Sequence, residues 1–95
     1  METEVITLFN SLYGRDFRTR AKKLREECFE LVEAIDNLSL SPKDGELDRV
    51  IDEMADVLAV LTHVTSLLHM SRDELLKIAI DKSEKRIENP EYKRQ

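Results

Sequence analysis

Apolar residues recur at helical spacing along the two longest segments of the chain, and this periodicity limits the fold more than any other feature. On a helical wheel of about 100° per residue they form one stripe in each segment. The first stripe is Leu24, Cys28, Leu31, Ile35 and Leu38, and the second is Val50, Met54, Val57, Leu61, Val64 and Leu68. Only two glycines and two prolines are present to interrupt a helix. We therefore predict an all-α protein.

Size and charge limit the architecture and the partners. A chain of 95 residues has room for one hydrophobic core, so residues 1–95 are predicted to form a single domain. The net charge of −5 speaks against binding of nucleic acid through a broad basic surface. The sequence shows no signal peptide and no long apolar run, so we expect a cytoplasmic protein without a membrane partner. Its single cysteine, Cys28, is expected to be a small core residue.

Capping and turn-forming residues divide the chain into four predicted helices, at about 3–13, 16–37, 46–70 and 71–88. Asp16 is expected to cap the second helix, and Ser71 with Glu74 matches a capping box at the start of the fourth. Residues 38–45 hold the densest cluster of turn formers and are predicted to be a loop, whereas 89–95 should be a polar tail. The third helix is apolar over most of its circumference, so it should contact more than one neighbour, and in so small a protein we expect the extra neighbour to be another subunit.

Four acidic residues lie beside the two apolar stripes and are displaced from them in the same rotational sense. They are Glu27 and Glu30 in the second helix, and Glu53 and Asp56 in the third. A short loop joins these helices, so they should pack as an antiparallel hairpin. Glu30 and Glu53 are symmetric about position 41.5, and so are Glu27 and Asp56. The four carboxylates should therefore meet at one level along one edge of the hairpin.

Such a cluster of carboxylates favours a metal site. Four carboxylates held close together cannot all stay ionised unless a cation or protons offset their repulsion. All-oxygen ligands suit Mg²⁺ or Mn²⁺, and Ca²⁺ less specifically. The alternative is a solvated acidic face that serves solubility. A di-iron site is disfavoured because neither His63 nor His69 follows a glutamate by three residues. We expect both histidines to lie at the surface or partly buried.

The acidic motifs resemble those of a known family. Residues 23–30, K-L-R-E-E-C-F-E, resemble the K-L-x-E-E-x-x-E stretch of the all-α nucleoside triphosphate pyrophosphohydrolases, the MazG-like group. Residues 53–56, E-M-A-D, match the family's E-x-x-D motif. Lys82 and Arg86 fit the K-x-x-x-R pattern of its last helix. The resemblance covers about residues 16–88.

The resemblance implies an enzyme that hydrolyses (deoxy)nucleoside triphosphates between the α and β phosphates, as in the house-cleaning of nucleotide pools. It implies that Mg²⁺, or Mn²⁺, is held by the four aligned carboxylates, Glu27, Glu30, Glu53 and Asp56. Glu26 could act through a second metal or as a water-orienting base, or it could be a plain surface charge. Lys82 and Arg86 are candidate phosphate contacts, or they could form ion pairs with Asp81, Glu84 or neighbouring helices. Lys23 is a weaker phosphate candidate.

The resemblance also implies self-association. Family members of this size build a four-helix-bundle core from two subunits and sometimes pair dimers into tetramers, so a homodimer or homotetramer is expected. Two other functions remain open. One is the related phosphoribosyl-ATP pyrophosphohydrolase of histidine biosynthesis, which usually carries an aromatic-His pair after an A-D-L segment, where this chain has A-D-V-L-A-V at residues 55–60. The other is a non-catalytic helical oligomerisation or regulatory module.

Overall fold

Four helices joined by short turns make up the protein, whose computed structural model describes residues 1–89 and 91. They are α1 (Glu2–Leu12), α2 (Phe17–Leu40), α3 (Glu46–Leu67) and α4 (Arg72–Glu88). Long helices α2 and α3 pack against each other as a hairpin, and α1 packs on α3. The part of the chain that the structure describes contains no strand, which confirms the predicted all-α fold. Most of the predicted polar tail lies outside the described residues.

Side-chain caps begin two helices where the sequence predicts them. The Thr19 backbone N–H donates a hydrogen bond of 2.8 Å to Asp16 at the start of α2. At the start of α4, the Glu74 N–H donates to Ser71 Oγ at 3.1 Å and the Ser71 N–H donates to Glu74 Oε1 at 3.2 Å. This exchange is the predicted capping box. Gly45 precedes α3 with a φ of 92°, a left-handed conformation in which a side chain would be strained.

The second helix runs further than predicted. It continues to Leu40, so residues 38–40 are helical and the connecting loop is only 41–45. Ser41 precedes Pro42, and a proline disfavours the helical conformation in the residue before it. The turn formers nearer to Asn37 are serines, which do not end a helix on their own.

The third helix ends earlier than predicted, at Leu67 rather than near residue 70. His69 adopts a left-handed φ of 57°, and its N–H bonds to the Ser66 carbonyl at 3.1 Å. The N–H of Met70 bonds to the Thr65 carbonyl, also at 3.1 Å. These two bonds form a Schellman motif. Glycine usually occupies the left-handed position of that motif, so a histidine there gave no signal in the sequence.

The contact line between α2 and α3 is rotated from the predicted apolar stripes. On α2 the buried residues are Arg20, Glu27 and Ala34, whereas Cys28 and Ile35 are exposed in the chain. The expectation that Cys28 is a core residue is therefore wrong. The side chains one position earlier face α3, and Ala34 is small enough to let the two backbones approach closely. A carboxylate, that of Glu27, consequently sits inside the helix–helix interface.

On α3 the predicted stripe is covered only in part, since Val50 is buried and Val57 and Val64 are half-buried. The buried residues of the helix are Val50, Val60 and His63, while Met54, Leu61 and Leu68 of the predicted stripe are exposed. The prediction that α3 contacts more than one neighbour is confirmed, because α1 and α2 both pack on it. That one neighbour is a second subunit stays a prediction. Much of its apolar surface nevertheless faces solvent.

The hydrophobic interior of the chain is small for its length. Among the described residues, only Ala34, Val50 and Val60 are buried hydrophobic side chains. All residues of α4 are exposed, including several large apolar ones: Leu75, Leu76, Ile78, Ile80 and Ile87. The radius of gyration is 16.0 Å, compared with about 12 Å for a compact chain of this size. None of the helices described by the structure is both long and apolar enough to cross a membrane.

Candidate metal centre

Four carboxylates meet at one edge of the α2–α3 hairpin. Glu27, Glu30, Glu53 and Asp56 each offer one oxygen, and these oxygens all lie within 4.8 Å of one another. The members come from the middle of two antiparallel helices, at the symmetric positions that the sequence indicates. The structure thus brings together the complete set of predicted metal ligands. Their exposure differs, since Glu27 is buried, Glu53 is half-buried, and Glu30 and Asp56 are exposed.

Crowding of the carboxylates changes their acidity. Burial is the largest cause that raises the pKa of Glu53, followed by the charge of Glu30 and a hydrogen bond that these two carboxyls can share. Burial likewise raises the pKa of Asp56, with the charge of Glu27 as the second cause. The cluster therefore favours protons or another cation over four bare negative charges.

Lys23 is the cation that already accompanies the cluster. Its Nζ lies 2.9 Å from Glu27 Oε1, one helical turn along α2. The hydrogen bond to Glu27 is the largest cause that raises the pKa of Lys23, so this ammonium stays charged. One lysine offsets only part of the charge of four carboxylates, and it uses only one oxygen of Glu27.

Two oxygens of the cluster lack a partner within the described chain. Glu27 Oε2 and Glu53 Oε2 are buried and accept no hydrogen bond from any residue that the structure describes. A buried carboxylate oxygen without a partner is costly. A hard divalent cation binds such oxygens and prefers several of them from carboxylates. The four residues therefore fit a Mg²⁺ or Mn²⁺ site.

The other predicted site residues lie outside this group of four. Glu26 is exposed on α2 beside the cluster, and Lys82 and Arg86 are exposed on α4. The role of Glu26 and the phosphate contacts of the two basic residues stay predictions.

A buried polar cluster beneath α1 was missed by the sequence reasoning. His63 was expected at the surface or partly buried, but it is 0% exposed. Its Nε2 lies 2.8 Å from Asn10 Oδ1, and its ring meets the edge of Phe9 at a centroid distance of 5.5 Å. Arg20 is 2% exposed and places its guanidinium carbon 4.9 Å from the ring centroid of Tyr13. Burial, and next the charge of Arg20, lower the pKa of His63.

Sequence position did contain a signal for this basic cluster. Arg20 and His63 are symmetric about position 41.5, as the acidic pairs are. Arg20 precedes Glu27 by seven residues and His63 follows Asp56 by seven, which is two helical turns in each case. Both clusters therefore occupy the same edge of the hairpin.

Comparison with protein families agrees with the acidic site. A model of the MazG nucleotide pyrophosphohydrolase domain matches residues 15–90. No curated protein and no solved structure matches the chain. The matched region contains α2, α3, α4 and all four clustered carboxylates, and it leaves α1 outside. The chain therefore belongs to the MazG nucleotide pyrophosphohydrolase family.

Proposed function

We propose that this chain hydrolyses (deoxy)nucleoside triphosphates to the monophosphate and pyrophosphate with the help of Mg²⁺. The observation that carries the proposal is the meeting of Glu27, Glu30, Glu53 and Asp56 in a member of this family. Two of their oxygens are buried without a hydrogen-bond partner among the described residues, and a bound cation would supply the missing contact. A role in clearing unwanted nucleotides from the pool is part of the same proposal.

Each residue of the site has a distinct task in this scheme. The four carboxylates hold the divalent ion, whose charge would neutralise the phosphates and lower the pKa of an attacking water. Lys23 positions Glu27 through the 2.9 Å contact and lies next to the path of the phosphates. Glu26 orients the water from the exposed side of α2. Lys82 and Arg86 contact phosphate oxygens through their positive charge.

Self-association belongs to the proposal because the isolated chain covers so little apolar surface. On α3, Ile51, Met54 and Leu58 are each more than half exposed. A second copy that packs on this surface would complete a four-helix bundle from two hairpins. Burial of apolar area at about 25 cal/mol per Å² would then supply stability that a single chain does not reach. We expect a homodimer or a pair of dimers, which sedimentation or light scattering would detect.

Pyrophosphate release from a panel of nucleotides tests the catalytic proposal. We expect release with Mg²⁺ from at least one nucleoside triphosphate, and none with EDTA. Glu53→Gln should abolish release, whereas the matched control Glu33→Gln, at an exposed position of α2 outside the cluster, should not. No release from any nucleotide, or full activity in Glu53→Gln, would refute the proposal. Release from phosphoribosyl-ATP alone would instead assign the histidine-pathway activity.

A further inference from the structure

Arg20 is a buried cation without an adequate counter-charge. Its Nε and Nη1 are buried and donate no hydrogen bond within the described chain. No carboxylate at residues 1–89 or 91 forms an ion pair with it. Its charge contributes least among the causes that lower the pKa of nearby Asp16, whose oxygens are bonded to Thr19. A buried charge of this kind is costly unless an anion accompanies it.

The neighbour of Arg20 has an unused nitrogen as well. His63 uses Nε2 for Asn10, but its Nδ1 is buried without a hydrogen-bond partner in the described residues. Arg20 is close enough for its charge to lower the pKa of His63. Nε and Nη1 of Arg20 are therefore buried donors without an acceptor, and an anion with several oxygens could satisfy them. With Nε2–H donating to Asn10, Nδ1 of His63 is an acceptor, so it could bond only to a hydrogen that the anion itself carries.

Helix α1 covers this cluster with few attachments. At the cluster itself, the links are one hydrogen bond, from the His63 ring to Asn10, and two ring contacts, of Phe9 with His63 and of Tyr13, which follows α1, with Arg20. Elsewhere Glu2 of α1 lies 3.9 Å from Arg72 of α4, and α1 packs on α3. No residue of α1 is buried. The helix also lies outside the matched family domain. Because the matched domain does not include α1, we expect a shift of this helix to leave the contacts between α2 and α3 in place.

Position along the hairpin connects the cluster to the acidic site. Seven residues of helix separate Arg20 from Glu27, a rise of about 10 Å, and Lys23 lies between them on the same edge. A chain of phosphates that extends from the carboxylates toward α1 would meet Lys23 first and Arg20 next.

We propose that Arg20, with His63 beside it, binds the terminal phosphates of the substrate after α1 shifts away from them. This inference rests on the proposed function, because it names the part of the nucleotide, the portion that leaves as pyrophosphate, that Arg20 receives. Guanidinium groups bind phosphate oxygens through several donors at once. The phosphate supplies the counter-charge that Arg20 lacks, and Arg20 supplies the contact that orients the leaving group.

Titration of the full chain with inorganic pyrophosphate by calorimetry tests the proposal. The titration is made with Mg²⁺ and again with EDTA, and it compares Arg20→Met with the matched control Arg25→Met, which removes an exposed charge from the same helix. We expect Arg20→Met to weaken binding about ten-fold or more, and Arg25→Met to change it by less than about two-fold. Equal effects of the two substitutions, or none in Arg20→Met, would overturn the proposal.

A variant that weakens the attachment of α1 provides a second, independent measurement of pyrophosphate affinity. Asn10→Ala removes the hydrogen bond that ties α1 to His63 and should increase the fraction of chains in which Arg20 is accessible. The apparent affinity for pyrophosphate should then rise about two- to five-fold, because less of the binding energy is spent on opening. Unchanged or weaker binding in Asn10→Ala contradicts the proposal, and this variant decides the matter should Arg20→Met fail to fold.

The titration is independent of turnover, so its failure can be told apart from failure of the proposed function. Release of pyrophosphate from nucleotides combined with an affinity that ignores Arg20 refutes this inference alone. Binding of pyrophosphate through Arg20 in a chain that hydrolyses no nucleotide refutes the hydrolysis alone. A lower melting temperature of Arg20→Met with unchanged affinity would assign Arg20 a purely structural role and would also overturn the proposal.

Discussion

The acidic and the basic cluster lie two helical turns apart on one edge of the same hairpin, yet they are built in opposite ways. The acidic cluster has two exposed and two covered carboxylates, so a metal ion could reach it from solvent. The basic cluster is sealed, with Arg20 and His63 both buried beneath α1. The first cluster holds four carboxylates that raise one another's pKa, and the second holds a buried arginine without an ion pair among the described residues.

This difference indicates how removal of a carboxylate and removal of the histidine should differ in their effects. Carboxylates that crowd together oppose folding, because desolvation and mutual repulsion raise the pKa values of Glu53 and Asp56. His63, by contrast, packs against Phe9 and bonds to Asn10, and it thereby ties α1 to the rest of the chain. Removing a carboxylate should therefore cost activity, whereas removing the histidine should cost stability.

The largest effect expected is on catalysis by Glu30→Gln. Loss of one metal ligand should lower pyrophosphate release by about 100-fold or more, with Glu33→Gln as the control for charge alone. The unfolding temperature of metal-free Glu30→Gln should equal or exceed that of the parent chain, since one repulsive charge has gone. A loss of activity accompanied by a clear loss of stability would mean that Glu30 supports the fold instead.

Stabilisation by metal should be the next largest effect. Mg²⁺ at about 100 times its dissociation constant should raise the free energy of unfolding by about 2.7 kcal/mol, because it binds the folded cluster only. Thermal unfolding of the parent chain and of Asp56→Asn, with and without Mg²⁺, measures this difference. An equal shift in both chains would place the ion elsewhere.

Truncation of His63 should produce an effect of similar size on stability alone. His63→Ala leaves a cavity and removes the partner of Asn10, so we expect a loss of about 2–3 kcal/mol in urea unfolding. Asn10→Ala, which leaves no comparable cavity, should lose about 1 kcal/mol. Comparable losses in the two variants would show that the ring itself contributes little to the packing.

The smallest expected effect is on the pH dependence of stability, where the two clusters act with opposite signs. His63 has a lowered pKa in the folded chain, so its contribution is complete above the unfolded value of about 6.5 and is lost as the pH falls through the folded value. Glu53 and Asp56 have raised pKa values, so the folded chain gains stability as the pH falls through those values.

Equilibrium unfolding measured between pH 8 and pH 4 separates the contribution of His63 to stability from that of the two carboxylates. His63→Gln keeps a side chain that can bond to Asn10 but does not titrate, so the loss of stability below about pH 6.5 should disappear. Glu53→Gln should remove part of the gain at lower pH. A parent chain and a His63→Gln variant with the same profile would show that His63 is accessible to protons without opening of α1.

The contrast between the clusters also explains what the sequence could reveal. The acidic cluster was predictable because helical periodicity gives the rotational offset of Glu27 and Glu53, and a short loop gives the register. The register of Arg20 and His63 could be read from the same symmetry about position 41.5, but their burial could not, because a buried arginine without a carboxylate is rare and no rule of composition anticipates it. The rotation of the interface, which buries Glu27 and Ala34 but exposes Cys28, depends on how closely two backbones pack, and apolar spacing alone does not specify that.

The loop at 41–45 has a consequence for both clusters. Each residue added to or removed from α3 between this loop and Glu53 would advance the rest of that helix by about 1.5 Å and turn it by about 100° relative to α2. Glu27 would then lose Asp56 in the same step in which Arg20 loses His63. A change of helix register at the loop therefore alters both clusters together and cannot adjust one while it spares the other. Independent tuning of the two sites must come from side chains, or from the placement of α1.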